Sequence, residues 1–162
     1  MNSAIIQWNM ASYYSNFEEL KVLIREQCNP QVFCLQETRN GTKTILPPSG
    51  YNCIQSHSIN NETNTRGVCL LINKSSNYKT LPLKISGNVE AVAARVWLDD
   101  KYYSICSIYL SPSLIIQEKD ITEILDQLPQ PYLLLGDMNA RHSLWGEEIN
   151  NTKGNLFENL LM

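Results

Sequence analysis

The chain has no apolar run approaching the roughly 20 residues needed to cross a bilayer. Its opening residues, Met1-Asn2-Ser3-Ala4-Ile5-Ile6-Gln7, lack both a basic start and a long apolar middle. Neither a secretory signal nor a transmembrane segment is expected, and the expected setting is intracellular with no membrane partner. A basic excess is also missing: 13 Lys and Arg stand against 16 Asp and Glu, a net charge of -3. That excludes a protein that holds nucleic acid mainly by coating phosphates with cations, so any such contact has to be local, through a metal. Charged residues are sparse altogether, 18% of the chain against a norm of roughly 25%. Closely spaced cysteine pairs are absent, which excludes a zinc knuckle. The five cysteines, an odd number, mostly sit in apolar runs such as Val32-Phe33-Cys34-Leu35, as small buried residues of a reducing compartment do. There is no internal repeat and no low-complexity tract.

What is there is 43% apolar residues in 162 positions, enough for one domain that buries roughly 70% of its unfolded surface. The most informative stretch is Tyr132-Leu133-Leu134-Leu135-Gly136-Asp137-Met138-Asn139-Ala140. Four bulky residues in succession predict a central strand buried on both faces. Gly136 predicts a tight turn on leaving the core. Asp137 and Asn139 then stand at the strand's carboxyl end, where ligands and catalytic groups gather in layered sheets. Two earlier strands end the same way. Residues 4–8 run into Asn9, and Val32-Phe33-Cys34-Leu35 runs into Gln36 and Glu37. Between them Phe17, Leu20, Val22, Leu23 and Ile24 recur at helical spacing until Asn29-Pro30 stops the helix.

Further strands are predicted at 51–55, 68–72, 81–85, 89–98 and 102–109, the last three forming a meander. A polar, asparagine-rich loop is predicted at 58–65, next to a solvated His57. A second amphipathic helix carries Ile121, Ile124, Leu125 and Leu128 on one face and ends at Pro129 and Pro131. A third begins at Gly154 and shows no capping signal before Met162, so the chain is expected to be the front part of a larger domain.

Two carboxylates brought to about 4 Å repel by several kcal/mol even at an effective dielectric near 20. If Glu37 and Asp137 converge, a cation belongs between them. A hard dication such as Mg2+ suits, because it takes one or two carboxylates and completes its shell with water and phosphate oxygens. Asn9 and Asn139 are neutral amides able to orient a phosphate or a water. The set reads as phosphoester hydrolysis.

Four motifs in order carry a resemblance over nearly the whole chain: Trp8-Asn9, Leu35-Gln36-Glu37-Thr38, Ser107-Ile108-Tyr109-Leu110-Ser111-Pro112, and Leu135-Gly136-Asp137-Met138-Asn139-Ala140. Together they resemble the endonuclease/exonuclease/phosphatase superfamily. Arg141-His142-Ser143-Leu144-Trp145-Gly146 resembles its apurinic-type endonuclease branch in non-LTR (LINE-like) retrotransposon polyproteins. The resemblance implies an α/β fold, a four-layered α/β-sandwich of two packed mixed sheets flanked by helices, here incomplete at the C-terminus. It implies Mg2+ or Mn2+ on Glu37 with Asn9 beside it. Asp137 would orient or deprotonate the attacking water, Tyr109 would hydrogen-bond the scissile phosphate, and Asn139 would steady its growing charge. Tyr109, Asn139 and His142 form the implied substrate-binding set. The implied partners are DNA, nicked in the nucleus, and a reverse transcriptase domain downstream in the parent polyprotein.

Two departures stand out. Ala11 occupies a position where some apurinic endonucleases carry an acid. The second aspartate and the aspartate-histidine pair with which the family ends are not found before Met162, so residues 1–162 are expected to be the N-terminal portion only, with weak or no activity. The rival readings are a catalytically dead remnant kept as a binding module, and a phosphatase or sphingomyelinase of the same superfamily. Structural roles compete as well. Asn9 is a common turn former, Tyr109 a common sheet aromatic, and His142 a packing or capping residue beside Trp145. Arg66, Lys43 and Lys74 are loop charges of the usual solvated kind. Glu37 resists that treatment, since an unpaired carboxylate at the end of a buried strand is costly.

Overall fold

The computed structural model describes residues 4–56 and 66–162. His57 and the loop expected at 58–65 lie outside the described residues. β1 (Ile5–Asn9) crosses over through α1 (Phe17–Glu26) and returns as β2 (Val32–Gln36), parallel to it, as a parallel pair requires. β3 (Tyr51–Gln55) and β4 (Val68–Asn73) extend this sheet antiparallel, giving the order β1-β2-β4-β3. β5 (Tyr78–Leu81), β6 (Glu90–Leu98) and β7 (Lys101–Tyr109) form the predicted meander. α2 (Glu118–Leu125) then carries the chain to β8 (Tyr132–Asp137), parallel to β7, completing a second sheet of order β5-β6-β7-β8. A 3-10 turn at Ser143–Trp145 leads into α3 (Thr152–Leu161).

Side-chain alternation stacks these elements in four layers. Val92, Ala94, Val96 and Leu98 of β6 point one way and meet Val32, Cys34, Leu70 and Ile72 of the other sheet. Ala91 and Ala93 point the other way, against Ile121 and Ile124 of α2 and Phe157 of α3. On the far side of the first sheet, Phe33, Leu35 and Leu71 pack against Leu20 and Ile24 of α1. The order is helix, sheet, sheet, helices. Each large side chain so enclosed contributes about 1.5–3 kcal/mol of burial, which is why the period-2 pattern of β6 fixes its register.

The structure departs from the sequence reading at three points. First, β8 is the last strand of its sheet among the described residues, not a central one, and is not buried on both faces. Leu134 packs under the helices and Leu135 between the sheets, but Leu133 is 39% exposed. An apolar run records what its two faces meet, not whether a strand lies alongside. Second, the strand expected at 81–85 is β5, ending at Leu81. Pro82 has no N–H to give the ladder, and Leu83 and Ile85 serve instead as apolar packing against the helix-side core. Third, Gly136 lies within β8 opposite Ile108, and its role is close approach rather than turning. A Cβ there would stand 1.8 Å from the Ile108 carbonyl oxygen.

All five cysteines are free, with Cys34, Cys69 and Cys106 buried, Cys53 half-buried and Cys28 exposed. Burial raises the thiol pKa of Cys34 and lifts that of Cys106 to about 12.

Because that Cβ would collide with main chain and not with a side chain that can swing aside, Gly136→Ala is expected to cost about 3 kcal/mol, the upper end of overpacking. The readout is the urea denaturation midpoint, and an unchanged midpoint would contradict the close contact.

Candidate active site

The two parallel pairs place their carboxyl ends at the same pole. Asn9 is in register with Gln36, so β1 and β2 exit together, and Tyr109 is in register with Asp137, so β7 and β8 do likewise. The inner packing of the sheets then brings the two exits face to face. The Asn9 side-chain Nδ2 donates to Glu37 Oε1 at 3.1 Å and to Asp137 Oδ2 at 2.8 Å, spanning both sheets. The Tyr109 hydroxyl donates to the same Glu37 oxygen at 3.1 Å. Asn9, Glu37, Tyr109 and Asp137 therefore form one hydrogen-bonded cluster.

Local backbone geometry aims these groups. Asp137 Oδ1 accepts the Asn139 main-chain N–H at 3.1 Å, closing a turn that starts as the strand ends. Asn139 adopts a left-handed conformation, φ 47°, and its amide donates to the Leu110 carbonyl oxygen, tying the exits of β8 and β7 together. Glu37 is left-handed too, φ 50°, at the step where β2 gives way to a turn. Such conformations cost L residues about 1–3 kcal/mol and persist where their surroundings hold them.

The ligand expectation for Asn9 is modified by this geometry. Its amide oxygen accepts the Ala11 N–H at 3.1 Å, and its nitrogen faces the carboxylates. Asn9 thus presents donors to Glu37 and Asp137, and acts by holding them. His142, expected among the substrate-binding residues, is 5% exposed and has both ring nitrogens engaged inside the fold. Nδ1 accepts the Leu144 N–H at 3.2 Å, capping the 3-10 turn, while Nε2 meets Glu158 of α3 at 3.2 Å. The capping alternative describes it. Trp145 packs on the His142 ring at 5.1 Å and donates from its indole to Ala140 O.

Three contributors were not legible as site residues. Arg39 forms an ion pair with Glu37 Oε2 at 2.8 Å. Glu90, at the start of β6, accepts the N–H groups of Gly67 at 2.9 Å and Arg66 at 3.1 Å. Gly67 and Arg66 in turn accept from Thr38 and Arg39, so Glu90 buttresses the turn that carries Glu37. Gly67 stands at φ +85° with a Cβ position only 2.2 Å from Thr38 Oγ1, so no other residue fits there. Asn151 caps α3 through Gly154 and also holds Asn139 O and Arg141 N, fastening the helix to the turn after β8. A lone acid in the apolar run of β6 was the available signal for Glu90. For Asn151 it was an asparagine just ahead of a helical pattern.

The electrostatics follow from these contacts. Burial pulls the Glu37 pKa upward, but hydrogen bonds from Arg39, Asn9 and Tyr109 and the charge of Arg39 outweigh it and hold it below 4.5. Burial chiefly, with the neighbouring Glu37 and Asp137, pushes Tyr109 up to about 12, so it stays a proton donor. Burial also raises Glu90, only partly offset by the Gly67 and Arg66 N–H groups, and the charge of Glu37 adds to the rise. Beside the cluster a depression of about 850 Å³ runs between β1, β8 and α3, lined by Trp8, Asn9, Asp137, Asn139, Arg141 and Trp145.

Comparisons with known proteins agree with this geometry. Residues 103–162 match the family described as Endonuclease-reverse transcriptase. A Drosophila melanogaster protein described as a probable RNA-directed DNA polymerase from transposon BS is 41% identical over 66 residues, 41% of this chain and 7% of that protein's length. The endonuclease domain of TRAS1, a telomere-specific non-LTR retrotransposon, superposes with a TM-score of 0.76 at 16% identity, covering 97% of this chain and 68% of that one. A 3'-5' exonuclease from Neisseria meningitidis gives a TM-score of 0.67 at 19% identity, covering 97% and 70%. An endonuclease/exonuclease/phosphatase family protein from Leptotrichia buccalis gives 0.62 at 16% identity, covering 97% and 71%. The resemblance read from the motifs is borne out. The fold is that of the endonuclease/exonuclease/phosphatase proteins, and the chain spans about two-thirds of these solved neighbours.

A carboxylate whose pKa is lowered by folding stabilises the fold above its unfolded value and loses that contribution as pH falls through the folded one. The stability difference between the parent and Glu37→Gln is therefore expected to be full at neutral pH and to shrink below pH 4.5, the ordinary value for this group. Urea denaturation of both proteins across a pH series measures it; a difference that grows on acidification would reverse the sign argued here.

Proposed function

We propose that residues 1–162 form the N-terminal portion of a divalent-metal-dependent phosphodiesterase that nicks DNA, the endonuclease part of a retrotransposon polyprotein with a reverse transcriptase domain downstream. The observation that carries the reading is the hydrogen-bonded cluster of Asn9, Glu37, Tyr109 and Asp137 drawn from both sheets. The match to the endonuclease-reverse transcriptase family and the likeness to the TRAS1 endonuclease domain favour the retrotransposon branch over a phosphatase or sphingomyelinase. DNA as the substrate places the working enzyme in the nucleus.

The donor set fits a hard dication. Two carboxylates lie within 3.1 Å of one nitrogen, so their oxygens share a small space. Mg2+ or Mn2+ held by Glu37, with Asp137 opposite, would take its remaining oxygens from water and phosphate. Bound there, the ion would supply charge stabilisation at the phosphate and at the departing 3' oxygen.

The chain's own residues do the rest. Asp137, its carboxylate held by Asn9 and the Asn139 N–H, orients the attacking water and accepts its proton. Tyr109 keeps its proton through the neutral range and so can hydrogen-bond a non-bridging phosphate oxygen. Asn139, fixed by its bond to Leu110, offers its amide to the charge that develops on the phosphate. Asn9 keeps the two carboxylates in place. His142 supports the turn beneath Trp145, and its part in substrate binding is indirect.

Nicking of supercoiled plasmid is the test, run on this chain and on a version lengthened to the span of the solved neighbours. Relaxation of the plasmid should require Mg2+ or Mn2+, stop on chelation, and fall by roughly a hundredfold or more in Glu37→Gln and Asp137→Asn. Lipid phosphodiesters should be untouched. Equal nicking by the parent and Asp137→Asn would refute the site. Silence of both lengths would favour the rival reading, a remnant that binds without cutting.

A further inference from the structure

The Glu37 carboxylate accepts three donors from within the fold. Oε1 takes the Asn9 amide and the Tyr109 hydroxyl, each at 3.1 Å, and Oε2 takes the Arg39 guanidinium at 2.8 Å. The glutamate side chain is 16% exposed and that of Arg39 47%, so Arg39 approaches from the solvent side. An exposed pair of this kind usually contributes little, but here the backbone is arranged for it. Glu37 and Arg39 are both left-handed, φ 50° and 48°, with Thr38 fully buried between them. Thr38 N–H donates to Gly67 O at 3.2 Å and Arg39 N–H to Arg66 O at 2.7 Å, while Glu90 holds both of those acceptor residues by their own N–H groups. Two strained residues in three positions, fixed from outside by a second segment, turn the arginine back onto the glutamate two places before it.

Resting on the reading of Glu37 as the metal ligand, we propose that Arg39 is the resident counter-ion of Glu37, which a divalent cation must displace before it can use Oε2. Arg39 therefore sets how tightly the site takes metal, by competing for the ligand and by repelling the incoming charge. This goes beyond the role of any residue named so far: Arg39 neither holds the ion nor touches the water, and acts as a positioning residue whose departure opens the site. The same exchange works in reverse, since a cation that expels Arg39 must free its side chain by an equal coupling.

The test reads metal binding without catalysis. Mn2+ is titrated into the parent, Arg39→Gln, Arg39→Lys, Glu37→Gln and the Glu37→Gln/Arg39→Gln pair, with free Mn2+ followed by electron paramagnetic resonance. Arg39→Gln is expected to bind Mn2+ roughly three- to fivefold more tightly than the parent, the equivalent of losing one partly exposed ion pair. Arg39→Lys, which keeps the charge but loses the fork, should fall between them, and it carries the test alone should Arg39→Gln not fold. In the parent, the Arg39 side-chain N–H resonance should shift and broaden on adding Mg2+, as the released guanidinium exchanges with water. Affinity that is unchanged or weaker without the guanidinium overturns the proposal. Glu37→Gln should bind weakly in both backgrounds; if it binds Mn2+ like the parent, the assignment of Glu37 as ligand fails, an outcome separate from the failure of Arg39 as its counter-ion.

Discussion

One nitrogen atom joins the two sheets of this molecule where their carboxyl ends meet. The side-chain amide of Asn9 donates to a carboxylate of each sheet, and with the Arg39 guanidinium on Glu37 it offsets the repulsion between Glu37 and Asp137. That contact depends on the fold at every level. Both parallel pairs must keep their register, because a slip of one residue would turn each exit side chain to the opposite face. The sheets must also pack at their inner surfaces, so that Val32, Ile72, Val96 and Ile105 bring the two poles together. The apolar core thus does more than stabilise: it sets the distance between two like charges.

Much of this was legible in the residues. The alternation of Val92, Ala94, Val96 and Leu98 marked one buried face, and apolar runs ending abruptly in Asn9, Glu37 and Asp137 marked three exits at one end. What escaped was whatever depends on the backbone's choice of conformation or on neighbours distant in sequence. Nothing in the letters around Glu37 announces a left-handed φ, so the return of Arg39 onto Glu37 could not be read. The buttress from Glu90 needs the pairing of β6 with β7 and the path of residues 66–67, both long-range facts. The apolar richness of β8 suggested an interior strand, yet among the described residues it is the last of its sheet, because hydrophobicity reports burial of faces and is silent about edges.

Strain is distributed in the same pattern. Ala11, Glu37, Arg39 and Asn139, all just beyond strand ends at the site, adopt positive φ. Hydrogen bonds secure them: the Ala11 N–H locally on Asn9, and, from other segments, Thr38 and Arg39 on residues 66–67 and Asn139 on Leu110 and Asn151. The regular strands are relaxed and these exits are bent, which is how a rigid scaffold can present side chains in directions a strand alone does not offer. Gly67 makes the bend at Glu37 possible by leaving room that any Cβ would fill.

The disposition of the cysteines has a practical bearing. Cys28 is the exposed one, sitting where α1 returns the chain to the entrance of β2, while the Cys34, Cys69 and Cys106 thiols are enclosed and disfavour the reactive thiolate. The length of the five-residue strand β2 separates that corner from Glu37, a distance of roughly 15 Å. A maleimide dye or spin label directed to Cys28 would therefore ride on the pole away from the carboxylates, giving a native attachment point that leaves the cluster untouched.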